Sequence, residues 1–208
     1  MKKLILFFFV DLCSIAAACG QTAKLGVFVG PNFATIGSQY SVDETTEHGI
    51  GVQAGLFTEI GTGRWSIVPG LTYASVGSKV SLAYGAGNET VSLQYLQVPV
   101  NFVYNTGAHK FFFGGGLYIG FGLSGSINGT VTSAPFIQVN DPWSFNYKFT
   151  FNSRTNPDYG VNLLAGVHLD GGTIFTVGYG LGLKRSIDIT YTTVRNDVIS
   201  ISIGHSIF

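Results

Sequence analysis

Apolar and polar residues alternate along most of this chain. The clearest run is Leu93 to Tyr104, LQYLQVPVNFVY. From Leu96 onward, Leu96, Val98, Val100, Phe102 and Tyr104 point one way, and Gln97, Pro99, Asn101 and Val103 point the other. A period of two over this length is the mark of a β-strand with two different faces. The polar face carries amides and proline rather than charge, and the apolar face ends in aromatics. Such a strand suits lipid on one side and a packed polar interior on the other.

The same pattern predicts seven more strands. Leu25 to Ile36 is the first, followed by a polar loop over Gly37 to His48. Ile50 to Ile60 is the second, with Gln53, Phe57 and Glu59 opposite its apolar row. It turns at Gly61-Thr62-Gly63, where glycine adopts positive φ cheaply. Trp65 to Val76 is the third, and a second long loop covers Gly77 to Asn88. The opening run is the fourth, with a turn at Asn105 to His109. Lys110 to Leu123 is the fifth, then a long segment from Ser124 to Pro157. Asp158 to Asp170 is the sixth, Thr173 to Leu183 the seventh, and Gly171-Gly172 the turn between them. Lys184 to Asn196 is a charged loop, and Val198 to Phe208 is the eighth strand.

Connections therefore alternate between long and short. This is the asymmetry of an outer-membrane barrel, with short periplasmic turns and long extracellular loops. Each strand reaches the ~9–11 residues that a tilted membrane strand needs. In lipid the sheet must close, because an open edge would strand unpaired backbone groups. The predicted fold is all-β, an eight-stranded antiparallel up-and-down transmembrane β-barrel.

Composition supports this reading. Only 11% of residues are charged while 46% are hydrophobic, too little charge to cover a soluble domain of this size. Beyond the N-terminus no stretch approaches the ~20 apolar residues of a membrane helix. The formal net charge of +0 gives no basic surface for nucleic acid. Met1 to Gly20 reads as a secretory signal, with Lys2 and Lys3 before an apolar run and small residues at Ala18 and Gly20. Cleavage before Gln21 would leave residues 21–208 as the barrel domain. Lipoprotein processing at Cys19 is the rival reading. Both cysteines, Cys13 and Cys19, fall in this segment, so the mature barrel would hold no disulfide. The location implied is the bacterial outer membrane.

The face opposite the lipid-facing rows is rich in glycine and carries Gln53, Glu59, Gln97, Asn101, Asn162 and His168. Eight strands leave an interior just wide enough for side chains. Either large neighbours such as Phe28, Phe57 and Tyr118 fill it, or a narrow wet core remains; no open channel is expected. Glu59, His168 and Asp170 are read as inward-facing members of a hydrogen-bonded lumen network rather than a catalytic or metal group. No metal-ligand spacing, nucleophile elbow or phosphate loop is present, and no cofactor is implied.

Tyr95-Leu96-Gln97-Val98-Pro99 has the tyrosine-leucine-x-aliphatic-proline form. A second set runs from Asp158-Tyr159-Gly160 through Ala165-Gly166 to Tyr179-Gly180-Leu181-Gly182-Leu183. On these motifs the chain resembles the PorT-like outer-membrane β-barrel family. The resemblance spans the mature chain and implies the fold and the envelope location, without a defined activity. Members usually carry an acidic residue where Gln97 stands, and often one at Gly70, so their ionised lumen is not implied here. A terminal aromatic such as Phe208 is the kind that barrel-assembly machinery reads. However, Ile199, Ile201, Ile203 and Ile207 are out of phase with it, so either a bulge intervenes or Phe208 lies beyond the regular strand.

The expected function is that of a non-enzymatic integral barrel, in contact with outer-membrane lipid and acting through its extracellular loops or as an envelope component. A lipid-modifying enzyme would draw on His48, His109, His168 or His205. A soluble lipocalin-like carrier would need a charged outer face, and neither face is charged. One feature suggests a surface contact. In the third long loop Trp143, Phe145, Tyr147, Phe149 and Phe151 alternate with Ser144, Asn146, Lys148 and Thr150. This predicts a β-extension above the membrane with an aromatic ridge, for which Val131 to Val139 is the expected hairpin partner. An exposed ridge of this kind usually marks a contact site, here for an unidentified surface ligand. The competing reading folds the ridge over the barrel mouth or continues it into the interfacial girdle.

Overall fold

The structure, a computed structural model, describes residues 22–37, 45–81, 87–107, 110–131, 143–150, 157–183, 188–189, 192–193 and 195–207. Eleven strands follow in order: β1 (Thr22–Gly37), β2 (Thr45–Thr62), β3 (Trp65–Ser81), β4 (Gly87–Asn105), β5 (Phe111–Val131), β6 (Trp143–Thr150), β7 (Asp158–His168), β8 (Thr173–Gly182), β9 (Asp188–Ile189), β10 (Thr192–Thr193) and β11 (Arg195–Ser206). Eight of them, β1 to β5, β7, β8 and β11, each pair antiparallel with both neighbours and close on themselves through β1 and β11. β6 extends one wall, and β9 with β10 makes a small separate ladder.

Following paired residues around the wall shows the stagger that a closed barrel requires. The path leaves β1 at Ala23 and crosses Ile60, Ile67, Phe102, Gly115, Leu163, Tyr179 and Ile199. It returns to β1 at Phe33, not at Ala23. The strands are therefore tilted.

Each barrel strand presents its apolar row outward. Val52 is 59% exposed, Phe102 59%, Leu117 65% and Val177 55%. On β5 the row runs from Phe111 to Leu123. At about 3.3 Å per residue and a tilt near 40°, that is a band roughly 30 Å tall, enough to span the hydrocarbon. Water could not stabilise so continuous an apolar coat, so the soluble-carrier reading fails on this surface. An aromatic girdle marks the end with the short turns. Trp65 and Tyr104 meet edge to face with centroids 4.8 Å apart, and Tyr104 lies 5.4 Å from Phe113. Arg64 Nη1 donates to the Tyr104 hydroxyl at 3.2 Å. Amphipathic rings of this sort settle at the headgroup level.

Gly63, Gly107 and Gly171-Gly172 all have positive φ and shape the three short turns. Above the membrane the strands run further than alternation predicts. β2 begins at Thr45, within the expected loop from Gly37 to His48. β3 and β4 extend through most of the expected loop from Gly77 to Asn88, with Gly77↔Ser92 through Ser81↔Asn88 still paired. A ribbon in water needs no apolar face, so its ladder continues where the hydrophobic signal stops. The expected loop from Lys184 to Asn196 likewise holds the β9–β10 ladder and the start of β11. β11 keeps a constant register with β1 and with β8, and it ends at Ser206. No bulge shifts its phase among the described residues, and Phe208 lies outside them.

Candidate functional site: lumen and extracellular rim

Inside the barrel, rings lie against glycines on neighbouring strands. A β-carbon at Gly26 would strike the ring of Phe57; at Gly55 it would strike Phe28, at Gly160 Tyr118, and at Gly166 Phe112. The glycine-rich inner face is thus the mould for the large residues, and both outcomes expected for the lumen occur together: rings fill part of it, and a cavity of about 210 Å³ remains. Gln53, Glu59, Gln97, Asn101, Asn162 and His168 all line that cavity, as their phase in the sequence predicts.

Two apolar clusters bracket the amides. Toward the extracellular end Ala34, Val76, Leu93 and Tyr95 pack together, with Leu93 fully buried. Toward the periplasmic end Val103, Phe112 and Ile174 do the same, flanked by Phe57, Val68 and Leu164. At that lower end Glu59 Oε1 accepts hydrogen bonds from Ser66 Oγ at 2.9 Å and from Asn105 Nδ2 at 3.1 Å. His168 packs its ring on Phe112 with centroids 4.8 Å apart. Glu59 and His168 are lumen residues, as expected. Asp170 is not. It lies past the end of β7 in the turn, its side chain 95% exposed, and it forms an ion pair with Lys110 from the adjacent turn. The hydrogen bond from that ammonium holds its carboxyl below the usual carboxylate range. The alternation that aims side chains inward ends with the strand, which is why phase misplaces Asp170. Among the described residues no group of three or more His, Cys, Asp or Glu is placed to hold a metal ion.

The rim is built on β5. Gln94 pairs with Ser124 and Tyr95 with Gly122, so Leu123 is an extra residue, a bulge that shifts the phase of β5. Beyond it Ser124, Ser126, Asn128 and Thr130 take the outer face; Gly125, Ile127 and Gly129 take the face that continues the lumen side. β6 pairs with this upper half of β5, from Ser124↔Thr150 to Val131↔Trp143. Among the described residues the partner of the ridge is Ser124–Val131. The bulge hides this from alternation read straight through Leu123. Residues 132–139 lie outside the described residues.

The register confirms the two faces of β6. Ser144, Asn146, Lys148 and Thr150 pair with the polar set, and Asn146 Nδ2 donates to Asn128 Oδ1 across the ladder. Trp143, Phe145, Tyr147 and Phe149 are in register with Val131, Gly129, Ile127 and Gly125. A β-carbon at Gly129 would collide with the ring of Phe145. Tyr147 stands out, 63% exposed. The side chains of Trp143 and Phe149, and all of Phe151, lie outside the described residues, as do the side chains of His48 and His109. His205 is exposed near the periplasmic end.

A family model described as "Outer membrane protein beta-barrel domain" matches residues 19–189. The chain belongs to this outer-membrane β-barrel family. The barrel is thus an integral protein of the bacterial outer membrane. No curated protein matches its sequence. Among solved structures, Neisserial surface protein A is similar with a TM-score of 0.52 at 11% identity, over 88% of this chain and 98% of that one. Ail, the attachment invasion locus protein of Yersinia pestis, gives 0.47 at 9% identity, over 88% and 98%. OprG from Pseudomonas aeruginosa gives 0.40 at 12% identity, over 87% and 95%. The likeness to the Neisserial protein is one of fold.

Proposed function

We propose that this outer-membrane barrel is a non-enzymatic surface protein whose extracellular β5–β6 ribbon contacts a ligand outside the cell. One observation carries the reading. The ribbon projects beyond the lipid-facing row that ends at Leu123, and it displays Tyr147 largely exposed on a face in register with three other aromatics. Aromatics bring large contact area at small entropic cost. The lumen, narrowed by rings and lined by apolar residues toward both ends, is a poor candidate for the principal activity. Within the family, the tyrosine-leucine-x-aliphatic-proline motif at Tyr95 to Pro99 supports a PorT-like placement.

Changing Trp143, Phe145 and Tyr147 together to serine tests the contact site. The variant is expected to assemble and keep its shift between unboiled and boiled gel samples, while binding to cells or glycans falls by an order of magnitude or more. Loss of assembly or heat resistance would instead make the aromatics a structural cap and end the contact-site reading.

Export is proposed through a cleaved signal, residues 1–20, with the barrel-assembly machinery as the partner during biogenesis. The intact mass of the purified protein is expected to correspond to a chain starting at Gln21. A mass carrying lipid on Cys19 would overturn the site and return a cysteine to the mature protein.

A further inference from the structure

Where β6 joins β5, the wall carries a cleft of about 370 Å³ lined by Gln94, Ser124, Gly125, Ser126, Lys148 and Thr150. Register brings these residues together. Gln94, Ser124 and Thr150 form one row across β4, β5 and β6, and Ser92, Ser126 and Lys148 form the next row up. Both rows belong to the outer face. Neighbouring strands lie about 4.8 Å apart, so a row of three is roughly 10 Å wide. The cleft begins where the lipid-facing row stops. Ser124 and Ser126 follow Leu123 on β5. At about 3.3 Å per residue and a tilt near 40°, they stand roughly 3 and 8 Å above it. That is the headgroup layer, some 5–8 Å deep on each side of a bilayer.

The lining is matched to an anion. Ser124 Oγ donates to Gln94 Oε1 at 2.7 Å, so the amide oxygen is occupied. The cleft offers donors: the Gln94 amide nitrogen, the Ser126 and Thr150 hydroxyls and the Lys148 ammonium. Lys148 is exposed, and no Asp or Glu stands in either row.

We propose that this cleft binds the phosphorylated sugar headgroup of a membrane lipid. Lysine is a point-charge partner for phosphate, and hydroxyl and amide donors complete the shell around its oxygens. The volume exceeds what a bare phosphate fills and falls within the roughly 300–1,000 Å³ of small-molecule sites, so the hydroxyls also have a sugar to meet. Height selects a lipid over a free anion. The acyl chains would lie along Phe121 and Leu123, 37% and 40% exposed just below, and they hold the headgroup at the level of the cleft. The aliphatic stem of Lys148 can rest on this boundary while its charge reaches the phosphate. The cleft lies on the face of the ribbon opposite Tyr147, so this site and the aromatic contact can fail separately.

The test uses the full chain refolded into phosphatidylcholine nanodiscs doped with monophosphoryl lipid A or with the same lipid lacking its phosphate. Backbone amide resonances of Ser124, Ser126, Lys148 and Thr150 report occupancy. The phosphorylated lipid is expected to shift them saturably, and the dephosphorylated lipid to do so about tenfold more weakly, the size of one charge-assisted contact. Lys148→Gln should erase the difference between the two lipids while the gel shift is retained. Inorganic phosphate added to undoped nanodiscs should leave the four amides in place. Unmoved amides with the phosphorylated lipid, or an equal response to the dephosphorylated one, would overturn the proposal. An equal response to inorganic phosphate would make the site one for a free anion and overturn the lipid assignment. Equal shifts around Arg64 and Lys110 at the periplasmic end would also overturn it, since they would report attraction to any anionic surface.

Discussion

Arginine in place of Leu117 should weaken the barrel by about 2–4 kcal/mol, the cost of a charge on the lipid face near the bilayer midplane. Leu117 is 65% exposed and sits at the centre of the outward row from Phe111 to Leu123. Its environment is hydrocarbon, which offers a guanidinium neither water nor a counter-charge. The matched control is Ser126→Arg. Ser126 is also on the outer face of β5, but past the bulge at Leu123 and paired with Lys148 on β6. There the headgroup region or water meets the charge, and the expected change is within about 0.5 kcal/mol. Reversible urea unfolding in phosphatidylcholine vesicles, followed by the gel shift, measures both. Equal and small effects at the two positions would mean that the Phe111–Leu123 row does not face lipid.

Reconstituted into planar bilayers, the native barrel should give no stable current steps. Eight strands allow little free bore, and its wall carries apolar residues toward both ends, Ala34, Val76, Leu93 and Tyr95 above and Val103, Phe112 and Ile174 below. An ion crossing either cluster would shed its hydration against apolar side chains. Reproducible nanosiemens-scale openings would mean an interior far wider than the one described. The double variant Leu93→Ser with Phe112→Ser removes a principal member of each cluster. It should be the first to show openings if those clusters are the barrier.

Much of this architecture is legible in the residues because lipid imposes a strict contrast. Val98, Val100 and Phe102 must differ from Gln97, Asn101 and Val103 when one set meets hydrocarbon and the other meets the lumen, so a period of two survives in the sequence. The lumen amides follow from phase alone. Where that contrast lapses, so does the signal. Thr45 to His48 and Gly77 to Ser81 are paired in water on both sides, and nothing in their polarity separates a ribbon from a loop. The partner of β6 was hidden by a single inserted residue, Leu123, which reverses every assignment above it. The cavity and the unpartnered state of Asn32 and Asn101 were not legible. They depend on which glycine lies beside which ring, as Gly26 beside Phe57 and Gly160 beside Tyr118, and cross-strand register is not a property of any one strand.

The pairing of Gly26 with Ser206 gives the barrel its seam, and a seam sets an order of events. Every other wall contact joins strands that are neighbours along the chain, apart from the inserted ribbons, and can form as soon as a hairpin exists. The β1–β11 contact joins positions separated by nearly the whole barrel, so it carries the largest loop-closure entropy and comes late. Until it forms, β1 and whichever strand was added last both present a row of unpaired amides and carbonyls, and hydrocarbon offers these groups nothing. A partly built sheet therefore cannot wait in the bilayer at low cost. Its two edges must be shielded, or insertion and closure must happen together. The final strand is in this sense the release step, and the time a chain spends unfinished is governed by the arrival of β11.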